Sequence, residues 1–323
     1  MSTGKYLLKR ILHSIPLLIG ACTIIFFLTH LAPGDPTDYI IGDVDVDQEF
    51  IDRLKVEMGL DKPVYVQLGK YLLKVASGDL GYSYVSNTPV LELILDRFPA
   101  TLLLMGSQYV LSIIFGIALG VISSRHPNFF LDNSITVFSL ASFAIPVFWL
   151  GQMMILIFGY QLDWFPIQGM YNLREGYTGF EHVLDVAYHL TLPLLTLSLY
   201  NLALILRLTR GSMLQVNGQD FIKVARSKGL SERTILIKHA LRNALLPVVT
   251  VVGLELRSLI AGAVLTETVF AWPGLGRLTF DAIHARDYPL LMGMFICICV
   301  LVIVGNLIAD LLYSVLDPRI RHQ

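Results

Sequence analysis

Long apolar runs alternate with short polar connections along this chain, and the runs set the fold. A helix needs about 20 mainly apolar residues to cross a bilayer. Six stretches meet that length or nearly so: Ile11 to Leu31, Pro99 to Ser123, Ile135 to Tyr160, His189 to Leu208, Ala244 to Phe270 and Tyr288 to Leu316. The pattern predicts an all-α polytopic membrane protein with six transmembrane helices. Six spans put both termini on one side. Lys and Arg identify that side, because basic residues gather in cytoplasmic loops. With the termini inside, the internal segments hold Lys5, Lys9, Arg10, Arg125, Arg207, Arg210, six basic residues between Lys223 and Arg242, Arg319 and Arg321. The two short outer loops hold only Arg174, Arg277 and Arg286. The expected orientation is N-in/C-in. The first run ends in Thr29-His30-Leu31, which offers no small-x-small cleavage site, so it reads as a span and not as a signal peptide.

The polar segments differ from one another. Residues 32–98 carry 12 acidic against six basic side chains. Amphipathic stretches near Gln48 to Met58 and Tyr65 to Val75 predict a small helical outer cap, extracytoplasmic and too small to hold a large core of its own. Gln161 to Tyr188 is a second outer segment, rich in Gly and aromatic residues. Residues 212–243 form the main internal loop, and 317–323 a short cytoplasmic tail. Pro16, Pro146 and Pro193 fall inside spans, where each removes a backbone hydrogen bond and favours a kink or a packing irregularity.

Within the internal loop, Asp220 to Pro247 is a basic island between apolar runs. Phe221, Val224, Ala225 and Lys228 share one face at helical spacing, which predicts a short amphipathic helix. Gly229 can take the left-handed conformation that ends it. Ser231 can cap a second helix carrying Ile235, Leu236 and Ala240 on one side. Such a helix outside the bilayer suits a groove on another protein. On composition alone it is equally a solvated basic loop.

Composition agrees with a membrane protein: 54% of residues are hydrophobic, 15% charged, and mean hydropathy is +0.64. A soluble domain is about a quarter charged. The net charge of −1 gives no reason to expect nucleic acid. Cys22, Cys297 and Cys299 lie in apolar runs and read as small buried residues, not as a metal or disulfide set. No phosphate-binding Gly-x4-Gly-Lys-Ser/Thr loop is present, so ATP would have to be bound elsewhere. No protease or esterase motif appears either, and no metal site is expected. Ionisable residues inside spans are candidates for function. Glu255, Arg257 and Asp310 are such residues. They can line a translocation path, or form a structural pair such as Arg257 with Asp310.

Several stretches together resemble one family. Ala225-Arg-Ser-Lys-Gly229, His239-Ala-Leu-Arg-Asn-Ala244 and Leu246-Pro247 resemble the loop of bacterial ABC-importer permeases. Lys223 and Val224 stand where the common form of that loop has Glu and Ala. Leu31-Ala-Pro-Gly-Asp-Pro36, Gly59-Leu-Asp-Lys-Pro63, Gly78-Asp-Leu-Gly-Tyr-Ser83, Leu265 to Arg277, Arg286-Asp-Tyr-Pro289 and Asp317-Pro-Arg-Ile-Arg321 resemble the dipeptide/oligopeptide/nickel branch. They resemble in particular its first permease subunit, the one with the long outer segment. The resemblance implies a non-enzymatic transport subunit of the bacterial cytoplasmic (inner) membrane. Its expected partners are a second similar permease, two cytoplasmic ATPases that bind ATP and Mg, and an extracytoplasmic solute-binding protein. Short peptides, dipeptides first, are the expected cargo. Nickel chelates, glutathione and oligosaccharides also occur in the branch. By the same resemblance Asp220, Phe221, Val224, Ala225, Arg226, Lys228 and Gly229 form the coupling helix that sits in an ATPase cleft. A self-contained channel or secondary transporter is the rival reading, and an internal repeat that would favour it is not found.

Overall fold

The computed structural model describes residues 3–31, 47, 49, 50, 53, 56, 61–255 and 264–316. Side chains are described except at 3–9, 11, 254, 255 and 308–316. Among the described residues the regular secondary structure is helical, joined by turns and loops, with one isolated bridge between Tyr82 and Pro89. In chain order the helices are α1 (Thr3–Leu31), α2 (Val64–Ala76), α3 (Val90–Arg125), α4 (Phe130–Ala144) and α5 (Val147–Met154), which runs on into a π-helical segment, Ile155–Gln161. Then come α6 (Gly179–Asn217), α7 (Asp220–Ser227), a turn of helix at Glu232–Thr234, a second π-helical segment Ile235–Leu241, and α8 (Arg242–Glu255). The last three are α9 (Val264–Val269), α10 (Leu275–His284) and α11 (Tyr288–Leu316). Five described helical runs are long and apolar enough to cross a membrane, or six if the bent pair α4 and α5 makes one span.

The third expected span, 135–160, is not one helix. Its two halves meet at 104°. Pro146 supplies no N–H for the helix, and Ile145 before it is pushed to an extended conformation, φ −80° and ψ 127°. Pro16, Pro99 and Pro193 are accommodated inside α1, α3 and α6. The second span starts earlier than Pro99, because Val90 and Ile94 bury one face of the preceding turns despite Glu92 and Asp96. The helical run that reaches α8 already qualifies as a span from Glu232 to Gly253. Whether it continues to Phe270, as the sequence suggests, depends on 256–263, outside the described residues. Most of the Gln48 to Met58 stretch and the 317–323 tail also lie outside them.

The chain divides into two compact units, one formed by residues 1–99 and 274–308, the other by 100–273 and 309–323. In the first, Val90, Ile94, Leu275, Ala282, Leu290 and Met294 form the buried core. Gly293 allows it: a Cβ there would lie 2.3 Å from Val90 Cγ1. Helix α2 packs on α1 through Tyr71 against Phe26 and through His30 with Gln67, and buries no residue fully. Asp287, buried, holds the 83–85 turn: Ser83 Oγ donates to it, as do the backbone N–H groups of Tyr84 and Val85, and that of Leu290 at the start of α11. Burial pushes the Tyr84 phenol up to about 12, with Asp287 adding to the shift.

In the second unit α6 is the central element, packed by α4, α5, α8 and α9. Its contact with α3 rests on a ridge of small residues one turn apart. Ser112 Oγ donates to the Ser198 carbonyl at 3.0 Å. A Cβ on Gly116 would lie 3.2 Å from the Leu202 carbonyl, and one on Gly120 2.8 Å from that of Leu206. Small residues four apart let two backbones approach, which is how membrane helices associate without a hydrophobic drive between them. The numbers rise together on both helices, so α3 and α6 run parallel, as second and fourth spans must. Helix α4 runs antiparallel to α6: Asp132 meets Arg210, Ser139 donates to the Ala203 carbonyl, and Phe143 stacks on Tyr200.

Candidate functional site

The 212–243 loop is built as two anchored turns around α7. Asp220 is its first residue and pairs with Lys223 at 2.9 Å, both well exposed. Ile222 and Ala225, three apart, face inward and join Met213 and Val216 from the end of α6 with Ile235, Ala240 and Ala244. Phe221, Val224 and Lys228 face outward; Phe221 is 39% exposed and Val224 52%.

The expected face is therefore corrected at one position. Ala225 does not belong to the outward stripe with Phe221, Val224 and Lys228; it is 7% exposed. At one residue past Val224 it sits about 100° round the helix, and its small side chain lets α7 lie close on the cluster. Ile222, which the sequence reading passed over, is the stronger anchor, fully buried. Its spacing from Ala225 was the available signal.

The helix stops as its sequence prescribes. Gly229 has φ +74°. Its N–H donates to the Arg226 carbonyl at 2.9 Å, and the Leu230 N–H to the Ala225 carbonyl at 3.4 Å. That pair of bonds is the Schellman closure, which needs a residue tolerant of the left-handed region. Ser231 Oγ accepts the Thr234 N–H at 3.4 Å and caps the next turn. Arg226 bridges the two turns, its Nε and an Nη reaching Glu232 at 2.9 and 3.3 Å. Beyond them the backbone is π-helical, so the buried pair Ile235 and Ala240 is spaced by five rather than by three or four.

The side chains of the path candidates fall outside what is described. Glu255 is the last residue of α8 and Asp310 lies in α11, but both side chains, and all of Arg257, lie outside the described residues. The structure adds two buried carboxylates to the second unit. Asp132 accepts both Arg210 nitrogens, Nε at 2.6 Å and Nη at 2.8 Å, the Asn128 N–H and the Ser123 hydroxyl. Glu267, fully buried, accepts the Thr101 hydroxyl at 2.9 Å, next to the Trp272 indole N–H on the Ala100 carbonyl. His189 is engaged with Asp185 at 3.1 Å and His182 against the Tyr171 ring. No group of three metal-ligating side chains occurs among the described residues.

A family of binding-protein-dependent transport system inner membrane components matches residues 112–322, and its N-terminal counterpart matches 3–105. The chain belongs to this family. It is therefore a multi-pass transport component of the inner membrane. It is 42% identical to the oligopeptide transport system permease protein AppB of Bacillus subtilis over 99% of this chain and 100% of that one. It is 39% identical to the dipeptide transport system permease protein DppB of Escherichia coli K12, over 99% of each. Among solved structures, an inward-facing form of the MetNI methionine ABC transporter aligns with 70% of this permease and 96% of its own chain, at a TM-score of 0.55 and 16% identity, which establishes a shared fold.

Proposed function

We propose that this chain is the transmembrane permease subunit of an ATP-driven importer of short peptides, dipeptides foremost. Full-length identity near 40% to permeases of oligopeptide and dipeptide transport systems carries the reading. Both termini and the 212–243 loop are cytoplasmic, and residues 32–98 form the outer cap. A second permease, two ATPases and a solute-binding protein complete the machine. Helix α7 docks in an ATPase cleft through Phe221, Val224 and Lys228, with Asp220 and Arg226 beside them. Ile222 and Ala225 transmit the movement to α6 and to the helical run that follows. Glu255, Arg257 and Asp310 are path candidates, since a carboxylate or guanidinium at that depth must be solvated or paired.

The test is uptake of a labelled dipeptide into vesicles holding the full complex, with and without this chain. ATP-dependent uptake that needs this chain supports the reading. Uptake by this chain alone, without ATPases, would make it a self-contained transporter. A complex that imports a nickel chelate or an oligosaccharide and no peptide would replace the substrate class and leave the architecture standing.

A further inference from the structure

Helix α6 carries two arginines three residues apart, and the fold treats them differently. Arg210 is neutralised by Asp132 through two nitrogens. Arg207 meets no carboxylate among the described residues. Its Cζ lies 4.6 Å over the centre of the Phe143 ring, and its Nε donates to the Ala203 carbonyl at 3.4 Å. Phe143 in turn stacks on Tyr200, with centroids 5.0 Å apart and planes at 17°. Both rings are about four-tenths exposed, at 42% and 39%.

Ala203 is one turn nearer the start of α6, and Tyr200 nearly two, so Arg207 leans back along its helix as helical side chains do and sets its head beside the Phe143 ring. A guanidinium turned into a span is costly unless something there receives it. The Phe143 ring takes up one side of the guanidinium. The in-plane N–H groups not used on Ala203 remain as a fork suited to an oxyanion.

We propose that Arg207, Phe143 and Tyr200 form a binding station on the translocation path for the C-terminal carboxylate of a peptide in transit. The guanidinium takes the carboxylate, and the stacked rings take the neighbouring apolar side chain. The proposal rests on the peptide-importer reading. Both rings are part-exposed, so the station does not enclose its cargo and release is not impeded.

The test uses the full complex with its binding protein in vesicles, comparing dialanine with its C-terminal amide. The binding protein is the same in every arm, so a change in the free-to-amide ratio on mutating this chain belongs to the permease. Arg207→Gln should cut dialanine uptake about tenfold more than uptake of the amide, and Arg207→Lys should keep most of the preference. In parallel, Arg207→Cys, with Cys22, Cys297 and Cys299 changed to Ala, should react with a charged aqueous thiol reagent and be protected several-fold by saturating dialanine during turnover. Equal losses for both peptides, no loss at all, or a cysteine that is unreactive or indifferent to dialanine would each overturn the station. A defect that vanishes in pure phosphatidylcholine vesicles and returns with phosphatidylglycerol would assign Arg207 to a lipid phosphate instead, and overturn it too. If the unmutated complex imports another solute but neither peptide, the peptide reading and the station fall together. If it imports dialanine and only the variants behave wrongly, the station falls alone.

Discussion

Gly120→Ala adds a single methyl group at the tightest point of the α3 and α6 contact. The new carbon would stand 2.6 Å from Thr209 Cβ, 2.8 Å from the Leu206 carbonyl oxygen and 3.0 Å from Thr209 Cγ2. Carbon atoms rest at about 3.5–4.0 Å, so the helices must part by roughly 1 Å. None of these neighbours is the free end of a long side chain, and Thr209 is fully buried. Overpacking of this kind costs about 1–3 kcal/mol. Replacing a helical glycine by alanine also gains about 1 kcal/mol of intrinsic propensity. Gly211→Ala in α6 supplies the control, because nothing lies within 4 Å of its would-be Cβ. The gap between the two variants isolates the packing cost, about 1–3 kcal/mol. Each kcal/mol moves Tm by about 2–4 °C for a domain of 150–250 residues. Thermal unfolding of the purified complex should place Gly120→Ala several degrees below Gly211→Ala, with Gly116→Ala between them, since its nearest approach is 2.9 Å. Equal midpoints for all three variants would show that the seam is loose and that the small-residue ridge does not set the distance between the helices.

Gly293→Ala should be at least as damaging, because Val90 Cγ1 at 2.3 Å belongs to a β-branched side chain with little rotamer freedom; reduced yield of assembled complex, restored in part by Val90→Ala, is the expected result. Gly229→Ala meets no atom within 4 Å, so its cost is the left-handed backbone alone, about 1 kcal/mol. Assembly should survive while ATP hydrolysis per peptide imported rises; normal coupling would count against the docking role of α7. Asp132→Asn leaves the part-buried Arg210 without its charge partner, a loss of up to about 3 kcal/mol. Expression of the folded complex should drop sharply and should improve when Arg210→Met is added; no rescue would mean that the hydrogen bonds to Ser123 and Asn128 matter more than the charge.

The helices were legible in the sequence where apolar length alone decides them, and less so where packing decides. Tyr65 to Val75, the end of α7 at Gly229 and the cap at Ser231 all follow from local chemistry that needs no partner. The 104° break at Pro146 was visible as a proline, but its size depends on how α4 and α5 each pack on α6. Helix α10 is too short to stand out from apolar length, and what fixes it is the burial of Leu275, Gly276, Thr279 and Ala282 along one side. Gly116 and Gly120 spell a small-x-x-x-small signal within a span, and this pattern could have predicted the α3 and α6 seam. Asp132, Glu267 and Asp287 could not be singled out from other acidic residues. Each is buried by residues distant in sequence: Asp132 by Arg210, Glu267 by Thr101, Asp287 by Ser83.

These buried contacts bear on how α7 could pass on a movement. A basic loop merely carried between two spans would absorb a push by bending. Here Ile222 and Ala225 share one cluster with the last turns of α6 and with the run that begins at Ile235, so displacement of α7 loads both sides at once. Helix α6 cannot yield alone, because the Ser112, Gly116 and Gly120 ridge holds it to α3 and the Asp132 carboxylate ties the Ser123 end of α3, the start of α4 and Arg210 together. The side that can yield is the π-helical Ile235–Leu241 segment, whose wider turn places Ile235 and Ala240 on the cluster only while that geometry lasts. A pull on α7 should then reach α6 and the run into α8 together, since both share its cluster and α8 also packs on α6.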